Sequence, residues 1–307
     1  MGYTTAAKDG DSHWYHQYFR GRAMDEWSKI EAQTHNQEYA NAFPFGLKTF
    51  EFTVERALWY EDYAFKPGRR SDRGDRTKKF LELLQLDSIA GKQVLDIGCG
   101  IGQYAVLCAK MGAYVTGVEL SPVGIQRAQE IAAANGVADR CNFIVGNFMQ
   151  QELPSEHFDI VYMHEVLHHA VKYPGLSEKT ARVIKPGGRI LIADGVRGDS
   201  LVDAGRRLVK HFRFRGRPSE RQEDENKGDV PLVLQDIRDF ACGFPRHEIY
   251  FMNYLYMIKE VDFLRMHRHY FATRFLLRMI RYADALLLGL LPFLRKHCSE
   301  VILYIET

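Results

Sequence analysis

Short apolar runs alternate with longer stretches of helical periodicity through the central third of the chain. The first run ends at Asp96, and a helix-like stretch follows at residues 103–111. The second run, residues 114–120, is rich in β-branched residues and has an acid, Glu119, as its last residue but one. Because short apolar runs bounded by turn residues are typical of buried strands, their alternation with helices predicts a parallel sheet covered by helices on both faces.

Five later runs extend this pattern, at residues 142–148, 158–163, 189–193, 248–251 and 300–305. Between the fourth and fifth strands, residues 184–188 read IKPGG, which predicts that a helix ends there and a strand begins. We therefore expect an α/β fold with seven strands, mostly parallel.

The turn after the first strand combines alternate glycines with one thiol: Gly98, Cys99, Gly100 and Gly102. Glycine adopts positive φ and lets a ligand approach the backbone closely. A dinucleotide-binding turn, G-x-G-x-x-G, would place its third glycine where Gln103 stands. The Asp96 carboxylate would repel a pyrophosphate but attract an ammonium group. The turn thus favours a ligand with a positive charge over a dinucleotide.

Residues 94–102, VLDIGCGIG, resemble the first motif of the class I S-adenosylmethionine-dependent methyltransferases, in their small-molecule branch. The resemblance extends over about residues 90–195, a third of the chain. It implies a Rossmann-like seven-stranded sheet and S-adenosylmethionine as the cofactor. It also implies that Asp96, the glycine turn and Gln103 contact that cofactor.

The resemblance implies further cofactor contacts at the ends of later strands. Glu119, followed by Leu120, stands where the family binds both ribose hydroxyls. Asn147 replaces an aspartate that is usual beside the adenine, and its amide oxygen can still accept a hydrogen bond from the adenine amino group. Phe148 can cover the ring, and His164 ends the fourth strand beside the cofactor.

Three histidines follow the fourth strand: His164, His168 and His169. Methyl transfer is an in-line displacement that depends mainly on positioning. A hydroxyl acceptor also gains from a base, and histidine titrates near neutral pH. We expect O-methylation of a small molecule with one of these histidines as the base, His168 first. Local packing of the histidines remains open, as does N- or C-methylation of a small molecule, lipid or sugar.

Residues 164–168 also match H-E-x-x-H, a zinc-hydrolase pattern that requires one continuous helix. Here strand-forming residues lead directly into His164, and Pro174 and Gly175 follow soon after. Catechol-type methyltransferases bind magnesium through acids near the end of the fourth strand, where this chain has His164. We therefore expect no metal.

Four segments divide the chain. Residues 1–85 are helix-like and rich in aromatic residues. They can form a lid over the acceptor or an additional helical layer packed on the core. Residues 69–79 are charged and are expected to form a solvated connection. Residues 86–252 form the cofactor-binding core. Residues 253–298 form a helical insertion whose arginines Arg274, Arg278 and Arg281 have helical spacing. That insertion can contact the acceptor, a second copy, a membrane surface or the core. Residues 299–307 supply the last strand.

Composition narrows the choice of partners. A net charge of +2 gives no overall field toward nucleic acid, so we expect no DNA partner. The basic, aromatic segment 205–221 keeps RNA open as a less favoured partner, because an acidic patch follows it and no N-P-P-Y-like element appears. Five cysteines without a C-x-x-C pair, and no apolar leader, favour a cytoplasmic protein. The intact glycines, Asp96 and Glu119 argue against a non-catalytic partner subunit.

Overall fold

The computed structural model describes residues 24–63, 74–196, 232–254 and 270–307. Within these residues seven strands form one sheet. They are β1 (Gln93–Ile97), β2 (Tyr114–Glu119), β3 (Cys141–Val145), β4 (Phe158–His164), β5 (Ile184–Gly195), β6 (Arg246–Met252) and β7 (Glu300–Glu306). Their order is β3-β2-β1-β4-β5-β7-β6; β1 to β5 run parallel, and β7 lies antiparallel between β5 and β6. The predicted mostly parallel seven-stranded sheet is confirmed.

Helices precede, connect and follow these strands. They are α1 (Met24–Tyr39), α2 (Val54–Tyr63), α3 (Gly74–Leu84), α4 (Gln103–Lys110), α5 (Pro122–Ala134), α6 (Leu167–Ala170), α7 (Leu176–Val183), α8 (Leu234–Ala241) and α9 (Phe271–Leu290). None of the helices in the described segments is long and apolar enough to cross a bilayer.

The core has two layers because side chains alternate along each strand. On β4, Ile160 and Tyr162 belong to a cluster that also includes residues of α3, α4 and α5. Val161 and Met163 belong to the opposite cluster, with residues of α7 and α8. Helices therefore cover both faces of the sheet, as predicted.

Two strands, β3 and β5, differ most from the prediction at their ends. β3 stops at Val145 rather than at residue 148, because the Asn147 side chain accepts a hydrogen bond from the Met149 amide (2.9 Å) and starts a short 3-10 turn. β5 is longer than predicted and includes the IKPGG segment. Its pairing with β4 shifts register between Phe158 and Ile160, which accommodates the extra residues.

The solvated connection predicted at residues 69–79 is wrong from residue 74 onward, while residues 69–73 lie outside the described part. α3 begins at Gly74, and Arg76 is only 2% exposed. Arg76 forms an ion pair with Glu165, and a buried guanidinium needs such a partner. This pairing draws a charged stretch of sequence into the core.

Both flanking segments contribute helices to the described part of the structure. α1 lies against the start of α5, where the Asn36 side-chain oxygen accepts hydrogen bonds from the Ser121 hydroxyl (2.7 Å) and the Val123 amide (3.4 Å). The insertion contributes α9 and a 3-10 turn, Pro292–His297, before β7. The basic segment 205–221, named as a candidate RNA contact, lies outside the described residues. The division into segments and the lid role remain predictions.

Candidate functional site

The glycine turn lies at the carboxyl end of β1, where open α/β sheets bind ligands. Gly98, Gly100 and Gly102 all have positive φ, at 71°, 54° and 71°. A methyl group added to Gly98 would overlap the Val166 side chain, and one added to Gly102 would come within 2.7 Å of the Ala128 methyl. The turn therefore requires glycine both for its backbone conformation and for its space.

Gln103, predicted to contact the cofactor, begins α4 directly after this turn. Its side-chain oxygen accepts a hydrogen bond from the Phe45 amide at 2.9 Å, which ties the amino-terminal segment to the turn. Cys99 is buried within the turn, and burial raises the pKa of its thiol well above the ordinary value. The thiol is therefore protonated at neutral pH.

Two buried carboxylates flank the turn. Asp96 is 3% exposed and accepts a hydrogen bond from the Tyr162 hydroxyl at 2.7 Å. Burial, reinforced by the charge of Glu119, raises the pKa of Asp96 to about 7 despite that hydrogen bond. Glu119 accepts hydrogen bonds from the amides of Gly100 (3.0 Å) and Ser121 (2.9 Å), one on each oxygen. Each carboxylate oxygen can accept a second hydrogen bond, so Glu119 can still accept hydrogen bonds from two hydroxyl groups.

The end of β3 joins the core to α1. The Asn147 amide nitrogen donates to the Ser28 hydroxyl on α1 at 2.9 Å, while its oxygen caps the 3-10 turn. Phe148 is buried beneath the ammonium group of Lys179, which lies 5.2 Å from the ring centre. Leu120, after β2, is half-buried. The predicted contacts of these residues with adenine and ribose remain predictions.

His164 lies among aromatic side chains at the end of β4. Its ring centre is 4.7 Å from that of Tyr104 and 5.0 Å from that of Phe80. These partners come from α4 and α3, on the face of the sheet that holds Tyr162. This packing is the local role that the sequence left open beside a base or cofactor role.

His168 pairs with an acid that the sequence did not single out. Its Nδ1 lies 2.9 Å from Oδ1 of Asp194, and its backbone amide donates to Oδ2 at 3.1 Å. Asp194 is 1% exposed. Burial alone would raise the pKa of Asp194, but the positive charge and hydrogen bonds of His168 hold it below the ordinary value. An acid bound to Nδ1 fixes the imidazole and stabilises its charged form.

His169 stands beside His168 and points to α1. The two ring centres are 4.1 Å apart, and Nδ1 of His169 is 3.5 Å from the Glu31 carboxylate. Lys172 pairs with that same carboxylate. Although burial opposes it, contact with His169 and Lys172 lowers the pKa of Glu31. An ionic contact therefore joins α1 to the segment after β4.

Comparison with known proteins identifies the central domain of the chain. Residues 95–192 match a family model described as a methyltransferase domain, and they contain the glycine turn, Glu119 and His168. The chain carries a class I S-adenosylmethionine-dependent methyltransferase domain. The sheet order and the acids around the turn agree with this assignment.

The names of two relatives of this domain give different methyl-accepting atoms, carbon in one and oxygen in the other. A sterol 24-C-methyltransferase of Gibberella zeae is 28% identical over 179 residues, which are 57% of this chain and 47% of that protein. A probable chloroplastic tocopherol O-methyltransferase of Oryza sativa subsp. japonica is 39% identical over 102 residues, 33% of this chain and 28% of that protein. The chain thus spans less than half the length of either relative.

A solved structure shares the fold over most of its length. The geranyl diphosphate C-methyltransferase of Streptomyces coelicolor A3(2) superposes with a TM-score of 0.52 and 15% identity. The match covers 91% of this chain and 97% of that one. The likeness shows a common fold.

The residues around the glycine turn fit S-adenosylmethionine, the cofactor of this family. A Cβ at Gly98 or Gly102 would overlap the Val166 or Ala128 side chain, so the turn keeps its close backbone shape only with glycine. Asp96 presents a carboxylate to an ammonium group, and Glu119 has acceptor capacity for ribose hydroxyls. The charge and the acceptor groups at the turn therefore agree with the cofactor.

Three residues of the site were not predicted from the sequence: Asp194, Glu31 and Tyr39. Asp194 was detectable in principle, because it is an acid at the carboxyl end of the fifth strand. Glu31 and Tyr39 lie on α1, where no motif singles them out. A methyl group on Gly100 would lie 3.1 Å from the Tyr39 hydroxyl, so Tyr39 covers the turn. Burial raises the pKa of Tyr39 well above the ordinary value, which keeps that hydroxyl protonated.

The H-E-x-x-H residues do not share a helix. His164 ends β4, Glu165 follows with a left-handed φ of 61°, and His168 lies in the separate short helix α6. Among the residues that the structure describes, no group of three His, Cys, Asp or Glu side chains is arranged to hold a metal ion. Metal independence stays a prediction.

Proposed function

We propose that this chain transfers the methyl group of S-adenosylmethionine to a hydroxyl group of a small-molecule acceptor, with His168 as the base. The hydrogen-bonded pair of His168 and Asp194 is the observation that carries the proposal. It lies at the carboxyl edge of the sheet, as does the glycine turn. A buried carboxylate bound to a partly exposed imidazole is an arrangement suited to proton transfer.

The residues divide the work between binding and proton transfer. Asp96, the glycine turn and Glu119 hold the cofactor, which when bound supplies an electrophilic methyl group on a positively charged sulfur. Asp194 holds Nδ1 of His168, so that Nε2 can accept the hydroxyl proton as the oxygen–carbon bond forms and the carbon–sulfur bond breaks. Asp194 then stabilises the imidazolium. After the product leaves, the proton returns to solvent.

A hydroxyl acceptor makes the fullest use of this pair. An amine needs only to arrive uncharged, whereas a hydroxyl must lose its proton as it reacts. The name of the tocopherol O-methyltransferase relative supports oxygen as the accepting atom.

Methylation at carbon is the second candidate, supported by the name of the sterol 24-C-methyltransferase relative. The same histidine could remove the proton that a newly methylated carbon must lose. The two candidates differ in the product, because an ether is formed in one case and a carbon–carbon bond in the other.

Two substitutions, His168→Asn and Asp194→Asn, test the base role in an assay with methyl-labelled cofactor and a small-molecule extract. We expect His168→Asn to lower kcat by about 100-fold or more while the Kd for the cofactor stays near the wild-type value. Asp194→Asn should lower kcat less and move the acidic limb of the rate profile to lower pH, because the imidazolium loses its anionic partner. The exposed His157→Asn is the matched control. Equal losses of kcat and cofactor affinity in His168→Asn would instead assign His168 a structural role.

A further inference from the structure

The helix α9 presents large apolar side chains to the outside of the molecule. Phe271 is 83% exposed and Leu290 is 68% exposed. The set of exposed large apolar residues on the helix is Phe271, Phe275, Leu276, Met279, Tyr282, Leu286 and Leu290. We call this set the outer face of α9. A surface helix of a globular protein normally has polar residues there.

The outer face lies opposite the side that packs on the protein. Successive residues of a helix turn by about 100°. The buried residues Leu277, Asp284 and Leu288 therefore lie on one side, and Phe275, Met279 and Leu286 lie on the opposite one. The Asp284 carboxylate accepts a hydrogen bond from the Tyr254 amide at 3.1 Å, which anchors the inner side. The helix thus has two apolar sides, and its neighbours in the chain cover one of them.

Positive charge borders the outer face. Arg278 is exposed at the edge of the outer face, Arg281 is exposed between that edge and the inner side, and the following turn exposes Arg295 and Lys296 next to Phe293. Residues 271–297 contain a single acid, Asp284, which is buried on the inner side. The exposed surface of this segment is therefore apolar and basic.

We propose that the outer face of α9 docks onto the surface of an anionic lipid bilayer, with the helix lying in the plane of the interface. Apolar residues bordered by arginines bind such surfaces, since the rings enter the acyl boundary while the guanidinium groups bind lipid phosphates. A second copy of the chain is a poorer occupant. An antiparallel two-fold contact through this face would place the arginine-bearing edges of both helices on the same side, and residues 271–297 offer no exposed acid to pair with them.

The insertion that contains α9 begins and ends at the same edge of the sheet as the candidate active site. Glu300 at the start of β7 pairs with Gly195 at the end of β5 and with Met252 at the end of β6. The insertion therefore leaves and re-enters the sheet at the carboxyl edge of β5, the edge that carries Asp194. Docking of α9 would bring the bilayer to the side of the molecule where the methyl group is transferred.

Vesicle flotation with the full-length chain tests the proposal. We expect binding to vesicles of phosphatidylcholine with phosphatidylglycerol, weaker binding in high salt, and little binding to phosphatidylcholine alone. Phe275→Ser with Leu286→Ser should weaken binding to the mixed vesicles by at least about tenfold. Arg278→Gln with Arg281→Gln should weaken it about 25-fold, since each arginine near an anionic surface contributes roughly a factor of five.

Matched controls separate this surface from general charge and folding effects. Arg182→Gln with Arg238→Gln removes the same charge from exposed positions on other helices and should leave vesicle binding unchanged. Circular dichroism checks that each variant is folded. A Phe275→Trp variant provides a second readout, because brominated lipids should quench its added fluorescence.

Three results would overturn the proposal. The first is that the wild-type chain fails to float with the mixed vesicles at low salt. The second is that it floats equally well after the Phe275 and Leu286 substitutions, with no quenching of the added tryptophan. The third is a dimer in sedimentation velocity that these substitutions dissociate, without any vesicle binding, which would make the outer face a contact between copies.

Discussion

Replacing Asp96 by asparagine tests two effects of this buried carboxylate: it lowers the stability of the folded chain, and it binds the cofactor. The pKa of Asp96 rises from 3.8 to about 7 in the folded chain. The folded state therefore holds this proton more tightly than the unfolded state. The contribution of Asp96 to stability is most favourable below about pH 4 and declines as the pH rises to about 7. At about 1.4 kcal/mol per pH unit, the ionised group lowers the free energy of unfolding by about 4 kcal/mol at pH 8.

Asparagine keeps the shape of the side chain and can accept the Tyr162 hydrogen bond without carrying a charge. The free energy of unfolding of Asp96→Asn relative to wild type should therefore rise by about 3 kcal/mol between pH 5 and pH 8. Urea denaturation without cofactor at both pH values measures this difference. Asp87→Asn, at an exposed position, is the control and should show no such rise.

The same substitution should weaken binding of the cofactor. Loss of a carboxylate beside an ammonium group costs about tenfold or more in Kd, measured by calorimetry at pH 8. In the wild-type chain, affinity should also fall as the pH drops below about 7, because the protonated carboxyl no longer attracts the ammonium group. A stability difference that does not change with pH, together with unaltered cofactor affinity, would mean that the Asp96 carboxylate neither destabilises the folded chain nor binds the cofactor.

Two further substitutions test the packing around the site. Gly102→Ala should abolish detectable cofactor binding and lower the free energy of unfolding by about 2–4 kcal/mol, because the new side chain strains the left-handed backbone and its methyl group overlaps Ala128. The control Gly136→Ala, with φ at 68° and open space around it, should lower the free energy of unfolding by only about 1 kcal/mol. Equal losses of stability in both variants would contradict the overlap at Gly102. Arg76→Ala should lower the free energy of unfolding by about 3–5 kcal/mol because Glu165 loses its buried partner, and adding Glu165→Gln should recover part of that loss in thermal unfolding. If the double variant recovers no stability, the Arg76–Glu165 ion pair itself contributes little to the free energy of unfolding.

Local sequence predicted the sheet and the turn because the information for both is local. A run such as residues 94–97 followed by alternate glycines determines a strand and a positive-φ turn without reference to distant residues. Asn147 shows the limit of this reasoning. Its side chain ends β3 by capping the next turn, a choice that depends on a single hydrogen bond.

Contacts between distant segments could not be predicted in the same way. Asp194 meets His168 across 26 positions in the sequence. The pairing of His164 with Ala193 brings it there, because this register sets the end of β5 beside the segment after β4. Glu31 reaches His169 only because α1 packs against the core. Arg76 was assigned to solvent for the same reason, since its partner Glu165 lies far along the chain.

Transfer of a labelled methyl group shows directly whether this chain methylates a small molecule. The purified chain is incubated with methyl-labelled S-adenosylmethionine and a cell extract, and the products are analysed by mass spectrometry. We expect a labelled small molecule in which the methyl group is bound to oxygen, formed by the wild-type chain and strongly reduced with Asp96→Asn or His168→Asn. Failure of the folded chain to bind the cofactor, or label that appears only on macromolecules, would rule out methyl transfer to a small molecule.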